Sequence, residues 1–321
     1  MSLLLDVQDL RLTLPSRERS FSPVDGVSFS LSPGEALGLV GESGCGKSLT
    51  ALSLLRLVPE GSGISGRALF EGQDLLQLPD EAMRQVRGSR LAMIFQEPMT
   101  CLNPLLRIGD QVSEAILIHE KVSRREAEER SIALLKQVGI PIPERRARDF
   151  PHQLSGGMRQ RTMIAMALVL KPSLLIADEP TTALDVTIQA QILDLLKSLQ
   201  QEYGMAVLFI SHDMGVVSRV AGRVAVMYAG RIVEQGKVEE VLRHPRHPYT
   251  QGLLSSRPEL GRNGLSGIAG TVPDPKRFPP ACRFHPRCPI VGDVCREKEP
   301  DLSEISSGHL SRCWKAGTLK A

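Results

Sequence analysis

The octapeptide Gly41-Glu42-Ser43-Gly44-Cys45-Gly46-Lys47-Ser48 decides the fold of this chain of 321 residues. It follows the apolar stretch Ala36–Val40, which predicts a short buried strand, and precedes Leu49–Leu57, which predicts a helix. A loop of the form G-x-x-x-x-G-K-[ST] between a strand and a helix binds phosphate, because its glycines let backbone N–H groups surround phosphate oxygens. The helix N-terminus directs its positive dipole end at the same oxygens.

This loop supplies most of the predicted ligands for ATP. Lys47 is expected to neutralise charge on the β- and γ-phosphates, and the Ser48 hydroxyl to ligate Mg²⁺. The residues of the loop predicted to bind ATP are Gly41, Ser43, Gly44, Cys45, Gly46, Lys47 and Ser48. We also expect the Cys45 thiol to be exposed when nucleotide is absent, so that its alkylation blocks binding.

A second apolar strand ends in two carboxylates. Leu174–Ala177 is followed directly by Asp178 and Glu179. The carboxyl ends of parallel strands line the ligand crevice of an α/β sheet. We therefore expect Asp178 to hold Mg²⁺ through water and Glu179 to be the general base that polarises the attacking water.

Composition and charge exclude several classes of protein. Apolar residues make up 42% of the chain and charged residues 23%, as in ordinary globular proteins. The 39 basic and 36 acidic residues are too balanced for a nucleic-acid footprint, so no nucleic-acid partner is expected. No signal peptide is expected, and the longest apolar run, Ile164–Leu170, is far shorter than the roughly 20 residues that span a bilayer. Any membrane role is therefore predicted to be peripheral.

The order of the predicted elements indicates an α/β fold. Strands are predicted at Leu4–Leu14, Gly26–Leu31, Leu174–Ala177, Ala206–Ser211 and Val224–Tyr228, with helical segments between the later ones. A helical run over Gly109–Gly139, with a capping-box pattern at Ser123 and Glu126, marks an inserted helical subdomain at about 98–153. Periodicity ends near Arg257, which predicts a nucleotide-binding domain over 1–257 and a small metal-binding extension over 258–321.

The stretch Leu154-Ser155-Gly156-Gly157-Met158 lies before the carboxylate strand and opens a helix. Together with the phosphate loop, it resembles the ATP-binding cassette family, whose LSGG signature is usually followed by Gln rather than by Met158. The resemblance implies a RecA-like P-loop NTPase core with an antiparallel β subdomain and an inserted helical subdomain. It also implies that Ser155, Gly156 and Gly157 contact the γ-phosphate of ATP held by the phosphate loop of a partner subunit.

The same resemblance implies roles for four more positions. Gln96 is similar to the family's Q-loop glutamine, which contacts Mg²⁺ and water, and Asp185 to the D-loop aspartate at the dimer interface. His212 is similar to the catalytic switch histidine that contacts the γ-phosphate. Phe21 is either the aromatic residue that stacks on adenine or a core phenylalanine.

Four of the six cysteines crowd the C-terminal segment, as Cys282, Cys288, Cys295 and Cys313. Their C-x5-C-x6-C-x17-C spacing fits Zn²⁺, an iron–sulfur cluster or four free thiols, and does not choose between them. Cys282–Pro289 (CRFHPRCP), with His247-Pro248-Tyr249-Thr250, resembles the C-terminal extension of dipeptide and oligopeptide permease ATPases. That resemblance implies a [4Fe–4S] cluster held by the four cysteines.

The resemblance implies the ATP-hydrolysing subunit of an importer of di- or oligopeptides, on the cytoplasmic face of the bacterial inner membrane. The implied partners are a second ATPase in a heterodimer, two transmembrane permeases and an extracytoplasmic substrate-binding protein. A homodimer is chemically possible, and nickel, a glycoside or an opine-like compound are alternative cargoes. Two other classes remain open: a non-transport ATPase of the same family, and a nucleic-acid-binding zinc module in the tail.

Overall fold

The structure is a computed structural model that describes residues 2–17, 19–97, 101–182, 184–255 and 268–319. The chain forms two compact units. The first unit comprises residues 1–32, 36–77 and 209–321, and the second comprises residues 33–35 and 78–208. The predicted limits of the helical subdomain at residue 98 and of the tail at residue 257 lie outside the described residues.

An antiparallel sheet forms one part of the first unit, as the resemblance implies. Its strands are β1 (Leu5–Leu14), β2 (Phe21–Leu31), β4 (Gly63–Phe70) and β5 (Gln73–Asp74), in the order β2-β1-β4-β5. Both strands predicted before residue 32 are thus confirmed, and the second begins five residues earlier than predicted. Leu5, Val7, Leu10 and Leu12 of β1 are buried and supply much of this part of the core.

The other strands of the first unit are β3 (Ala36–Val40), β9 (Arg223–Tyr228), β10 (Arg231–Lys237), β11 (Ser303–Ser306) and β12 (His309–Ser311). They run in the order β11-β12-β10-β9-β3. β3 pairs with β9 in parallel, while β9 and β10 form an antiparallel hairpin through Ala229-Gly230. β12 of the cysteine-rich tail pairs with β10, so the tail continues this set of strands.

Short helices complete the first unit. The α-helices are Lys47–Leu54, Met214–Val220, Val238–Arg243, Pro248–Ser255 and Asp293–Glu297, and the 3₁₀ helices are Pro275–Arg277, His285–Arg287 and Ala316–Thr318. The helix after the phosphate loop begins at Lys47, two residues before the predicted start, because Gly46 takes the cap position in a left-handed conformation.

The second unit is mainly helical. Its α-helices are Asp80–Val86, Ile108–His119, Arg124–Gln137, Pro143–Arg146, Gly156–Leu168 and Val186–Tyr203, with a 3₁₀ helix at Pro151–Gln153. Its parallel strands are β6 (Leu91–Ile94) and β7 (Leu174–Asp178), and β8 (Ala206–Ser211) spans the limit between the two units.

The helical run predicted over Gly109–Gly139, with its capping pattern at Ser123 and Glu126, is confirmed. Two helices occupy this stretch, separated at residues 120–123. The Ser123 hydroxyl accepts a hydrogen bond from the Glu126 N–H at 3.2 Å and caps the second helix. The capping pattern predicted at Ser123 and Glu126 therefore marks the start of the second helix.

Candidate nucleotide site and cysteine cluster

The phosphate loop leaves a fully buried strand and enters a helix. All five residues of β3 are buried, and the helix Lys47–Leu54 follows the loop. Gly41 must be glycine, since a Cβ there would lie 2.2 Å from the Met227 carbonyl oxygen. Ser43 and Gly44, at the tip of the loop, are exposed.

Lys47 lies folded back over the loop that contains it. Its ammonium group donates to the carbonyl oxygens of Gly41 at 2.7 Å and Glu42 at 3.0 Å, and only 5% of the residue is exposed. The ammonium group is thereby held at the loop, where the sequence predicts it to meet phosphate charge. Ser48 is half-buried on the first turn of the helix.

The expectation that Cys45 is exposed was wrong. The residue is 0% exposed, because its side chain packs beneath the loop near the position of Gly41. Burial raises the pKa of the thiol, and the nearby Lys47 only partly offsets this. Its predicted place in the nucleotide site is thus through its backbone rather than its thiol.

Gln96 and Glu179 meet in the second unit. β6 and β7 are parallel with Ile94 opposite Ala177, and Gln96 and Glu179 each lie two positions after these paired residues. The Gln96 amide donates to the Glu179 carboxylate at 3.3 Å. The register of two strands therefore brings these residues together.

Thr182 is a contact of Glu179 that the sequence did not reveal. Its hydroxyl donates to the same carboxylate oxygen at 2.9 Å. Glu179 itself has a positive φ of 46°, which is uncommon for a residue other than glycine. Asp178, the last residue of β7, is only 4% exposed.

Ser155 is the N-cap of the helix Gly156–Leu168. Its hydroxyl accepts a hydrogen bond from the Met158 N–H at 3.3 Å. Ser155 and Gly156 are exposed, and a Cβ on Gly157 would lie 3.1 Å from the Ile188 side chain. The signature residues thus present a helix N-terminus at the surface of the second unit.

Asp185 and His212 also lie next to helix starts. Asp185 is exposed and caps the helix Val186–Tyr203 by accepting from the Ile188 N–H at 2.9 Å. His212 is exposed at the end of β8, before the helix Met214–Val220. The second unit contains the signature and the residues Gln96, Asp178, Glu179 and Asp185. The first unit contains the phosphate loop and His212.

Phe21 is the first residue of β2 and is half-buried. The ammonium group of Lys276, from the C-terminal tail, lies 5.7 Å from the centre of its ring. The ring therefore already makes a cation–π contact within its own chain.

The four cysteines of the tail line one small cavity, together with His247, Phe284, His285 and Trp314. None of the four forms a disulfide. Burial raises the pKa of Cys282 to about 12 and also raises the pKa of Cys288 and Cys313. The Lys315 N–H donates to the Cys313 sulfur at 3.4 Å, which is the kind of contact that favours a thiolate.

Four cysteine side chains are a donor set that iron–sulfur clusters use, and all four line the same cavity. Within the described ranges, however, no three His, Cys, Asp or Glu side chains are gathered as a group that could hold a metal ion. In the same ranges, no helix is long and apolar enough to cross a membrane.

Two family models match the chain. One, described as ABC transporter, covers residues 24–182, and the other, described as oligopeptide/dipeptide transporter, C-terminal region, covers residues 233–295. The first match contains the phosphate loop, the signature and the carboxylates of β7. The second contains three of the four tail cysteines.

Curated relatives align over nearly the whole chain. A probable peptide ABC transporter ATP-binding protein, y4tR of Sinorhizobium fredii, is 52% identical over 99% of this chain and 96% of its own length. The oligopeptide transport ATP-binding protein OppD of Bacillus subtilis is 49% identical over 97% of this chain and 88% of its own. The dipeptide transport ATP-binding protein DppD of the same organism is 49% identical over 98% of this chain and 95% of its own length.

Solved structures support the same fold. The dimeric ATP-binding cassette MJ0796 bound to ADP and Pi is similar with a TM-score of 0.66 and 28% identity, over 73% of this chain and 98% of its own. The cbiO1 protein of Clostridium perfringens is part of the ABC transporter complex cbiONQ. It is similar with a TM-score of 0.63 and 28% identity, over 75% of this chain and 91% of its own. The chain has the α/β fold of a P-loop NTPase, and it belongs to the ATP-binding subunits of the oligopeptide/dipeptide branch of ABC transporters.

Proposed function

We propose that this chain hydrolyses ATP to drive import of di- or oligopeptides through a membrane-bound permease. The observation that carries the chemistry is the contact of Gln96 and Thr182 with Glu179 beside the buried Asp178, which is the arrangement expected of a base held ready for water. The names of the relatives support the cargo class. Nickel, a glycoside or an opine-like compound are the alternative cargoes.

Each of the predicted site residues has a separate role in binding or hydrolysing ATP. Backbone N–H groups of the loop and the Lys47 ammonium bind the phosphates, while Phe21 contacts the adenine. Ser48, Gln96 and Asp178 would hold Mg²⁺, which would supply positive charge to stabilise the phosphates. Glu179 accepts the proton of the attacking water as the water oxygen bonds to the γ-phosphorus and ADP leaves. His212 donates a hydrogen bond to the γ-phosphate.

Two such cassettes close over two nucleotides. The exposed helix N-terminus at Ser155-Gly156-Gly157 supplies N–H donors to the γ-phosphate held by the loop of the other subunit. Asp185 lies at the interface. We propose a second, different ATPase subunit as the partner, and a homodimer is the alternative outcome.

We propose that the permease binds in a groove of the helical part of the second unit. Its lining includes the partly exposed Leu106, Leu117 and Ile118 and the charged Arg107 and Glu114. An amphipathic helix of a cytoplasmic permease loop fits this mixture of apolar floor and charged rim. Docking there places the chain at the cytoplasmic face of the inner membrane, with a substrate-binding protein on the opposite side.

The tail is proposed to hold a [4Fe–4S] cluster through Cys282, Cys288, Cys295 and Cys313, with Zn²⁺ as the alternative. Support comes from the single cavity that the four thiols line. Absorbance near 400 nm in anaerobically purified protein, lost in Cys288→Ser, tests the cluster. Zinc without this absorbance would contradict it.

The importer assignment is tested by a tagged pull-down from native membranes in mild detergent. We expect two permeases, a second ATPase and a substrate-binding protein whose ligand names the cargo. Ile118→Asp should release the permeases, whereas Leu57→Asp, an exposed leucine of the first unit, should not. Recovery of ribosomal or DNA-bound partners instead would overturn the transport assignment.

A further inference from the structure

Glu42, the second residue of the phosphate loop, forms hydrogen bonds through its N–H, its carbonyl oxygen and its carboxylate. Its N–H donates to the hydroxyl of Tyr249 at 2.8 Å. Its carbonyl oxygen accepts from Lys47, and its carboxylate accepts two hydrogen bonds from Arg287, at 2.7 and 3.0 Å. Two of these three partners lie outside the loop, after residue 247 of the chain.

In the pair formed by Arg287 and Glu42, the arginine is shielded from water and the glutamate is partly exposed. The Arg287 side chain is 5% exposed and the Glu42 side chain 30% exposed. A bidentate contact of this kind fixes both distance and orientation. Burial lowers the pKa of Arg287, but the hydrogen bonds and charge of Glu42 outweigh this and raise the pKa overall.

The remaining donors of Arg287 are also engaged. Its Nε donates to the Ala269 carbonyl at 2.8 Å and its Nη2 to the Gly270 carbonyl at 3.1 Å. The guanidinium group lies 5.7 Å from the ring centre of Tyr228, which itself packs on Tyr249 and Phe284. The guanidinium therefore has little freedom to leave Glu42.

Arg283 is connected to the loop indirectly, through Ala229 and Gly230. Its guanidinium donates to the Ala229 carbonyl at 2.5 Å and pairs with Asp25. The N–H of the next residue, Gly230, donates to the Cys45 carbonyl at 2.9 Å. A single segment of the tail, residues 282–288, thus contacts the phosphate loop directly at Glu42 and indirectly at Cys45.

We propose that segment 282–288 holds the phosphate loop in the form that accepts nucleotide, with Arg287 as the principal positioning residue. This proposal rests on the proposed role of the loop in binding ATP. A loop fixed in advance loses less conformational freedom when nucleotide binds, so the contact tightens binding without touching the nucleotide. The segment begins at Cys282 and ends at Cys288, so the state of the cysteine cavity also bears on nucleotide affinity.

The test measures binding of the fluorescent nucleotide mant-ATP, with Mg²⁺, to the purified full chain. Arg287→Ala and Glu42→Ala are each expected to raise Kd about tenfold, and the double variant no further, because both remove one shared contact. Arg287→Lys keeps the positive charge but cannot form the two-pronged guanidinium contact, so its Kd should lie between those of the parent chain and Arg287→Ala. The matched control is Arg296→Ala, an exposed arginine that also neighbours a cysteine, and its Kd should equal that of the parent chain.

A purely structural role predicts a different pattern: the thermal unfolding midpoint falls while the Kd of the folded protein is unchanged. Metal and sulfide content per chain is measured for every variant, and an equal content shows that the change in Kd does not come from a lost cluster. If Arg287→Ala does not fold, Glu42→Gln replaces it and is expected to raise Kd a few-fold.

Lys47→Ala separates the two proposals. Wild-type Kd in Arg287→Ala together with lost binding in Lys47→Ala overturns the role of the tail and leaves the nucleotide site standing. Wild-type Kd in Lys47→Ala overturns the loop assignment itself.

Discussion

The side-chain amide of Gln96 donates a hydrogen bond to the carboxylate of Glu179, although the two residues are 83 positions apart in the chain. Parallel pairing of β6 with β7 produces this contact, because Ile94 and Ala177 lie opposite each other and the chain leaves both strands in the same direction. The residue that we propose as the base and the residue that we propose as a ligand of Mg²⁺ are thereby brought into contact by the register of two strands.

Glu179→Gln is expected to slow ATP hydrolysis by at least about 100-fold, since an amide cannot accept the proton of the attacking water. Binding of Mg-ATP should be retained, because the substitution keeps size and hydrogen-bonding capacity. Phosphate release and mant-ATP titration measure the two properties. Glu144→Gln, at an exposed position of the same unit, is the control. Hydrolysis at the parent rate in Glu179→Gln would remove Glu179 from the chemistry.

Thr182→Val is expected to slow hydrolysis about tenfold, because one hydrogen bond to the charged carboxylate of Glu179 is worth about 1.5 kcal/mol. Thr182→Ser keeps the hydroxyl and should hydrolyse at the parent rate. The measurement is the rate of phosphate release at saturating ATP. Equal rates for the valine and serine variants would show that the contact at 2.9 Å does not act on the base.

Cys45 is expected to resist N-ethylmaleimide in the folded protein, with or without Mg-ATP, since its side chain is fully buried. Burial raises the pKa of the thiol above its ordinary value of 9.0, so raising the pH from 7 to 8.5 should leave its labelling slow. Peptide mapping by mass spectrometry reads the labelling at each cysteine, with urea-unfolded protein as the reference. Fast labelling that Mg-ATP suppresses would restore the accessible thiol predicted from the sequence.

Asp25→Asn is expected to lower the free energy of unfolding by roughly 3 kcal/mol, because it leaves the side chains of Arg11, Arg231 and Arg283 without their shared carboxylate. Urea denaturation at pH 7 measures the loss. Glu81→Gln is the control, because its pair with Arg84 is exposed and worth little.

The effect of Asp25 depends on pH in a defined direction. Burial opposes ionisation, but the three arginines outweigh it and hold the pKa of Asp25 below its ordinary value of 3.8. Its stabilisation is therefore complete above about pH 4 and is lost as pH falls through the lower folded pKa. The difference between Asp25→Asn and the parent chain should shrink over that range, and a difference that grew instead would contradict the pairing.

Much of the fold could be predicted from short-range patterns. The strand at Ala36–Val40 and the loop at Gly41–Ser48 are contiguous, so their order alone identified a P-loop core. The helical run over Gly109–Gly139 was predicted as well, and the Ser123 capping pattern marks where the second of its two helices begins.

The sequence by itself determined which residues can bind phosphate, which carboxylates end a strand and which cysteines could share a cofactor, because these depend on residue type and local spacing. Tertiary structure alone decided that Thr182 contacts Glu179, that the Cys45 thiol is buried and that Arg287 holds Glu42. Arg287 and Glu42 are 245 positions apart, and no local periodicity encodes a contact that arises only when the tail packs against the loop. Contacts of this kind follow from the pairing of strands and the packing of side chains, which the chain specifies only as a whole.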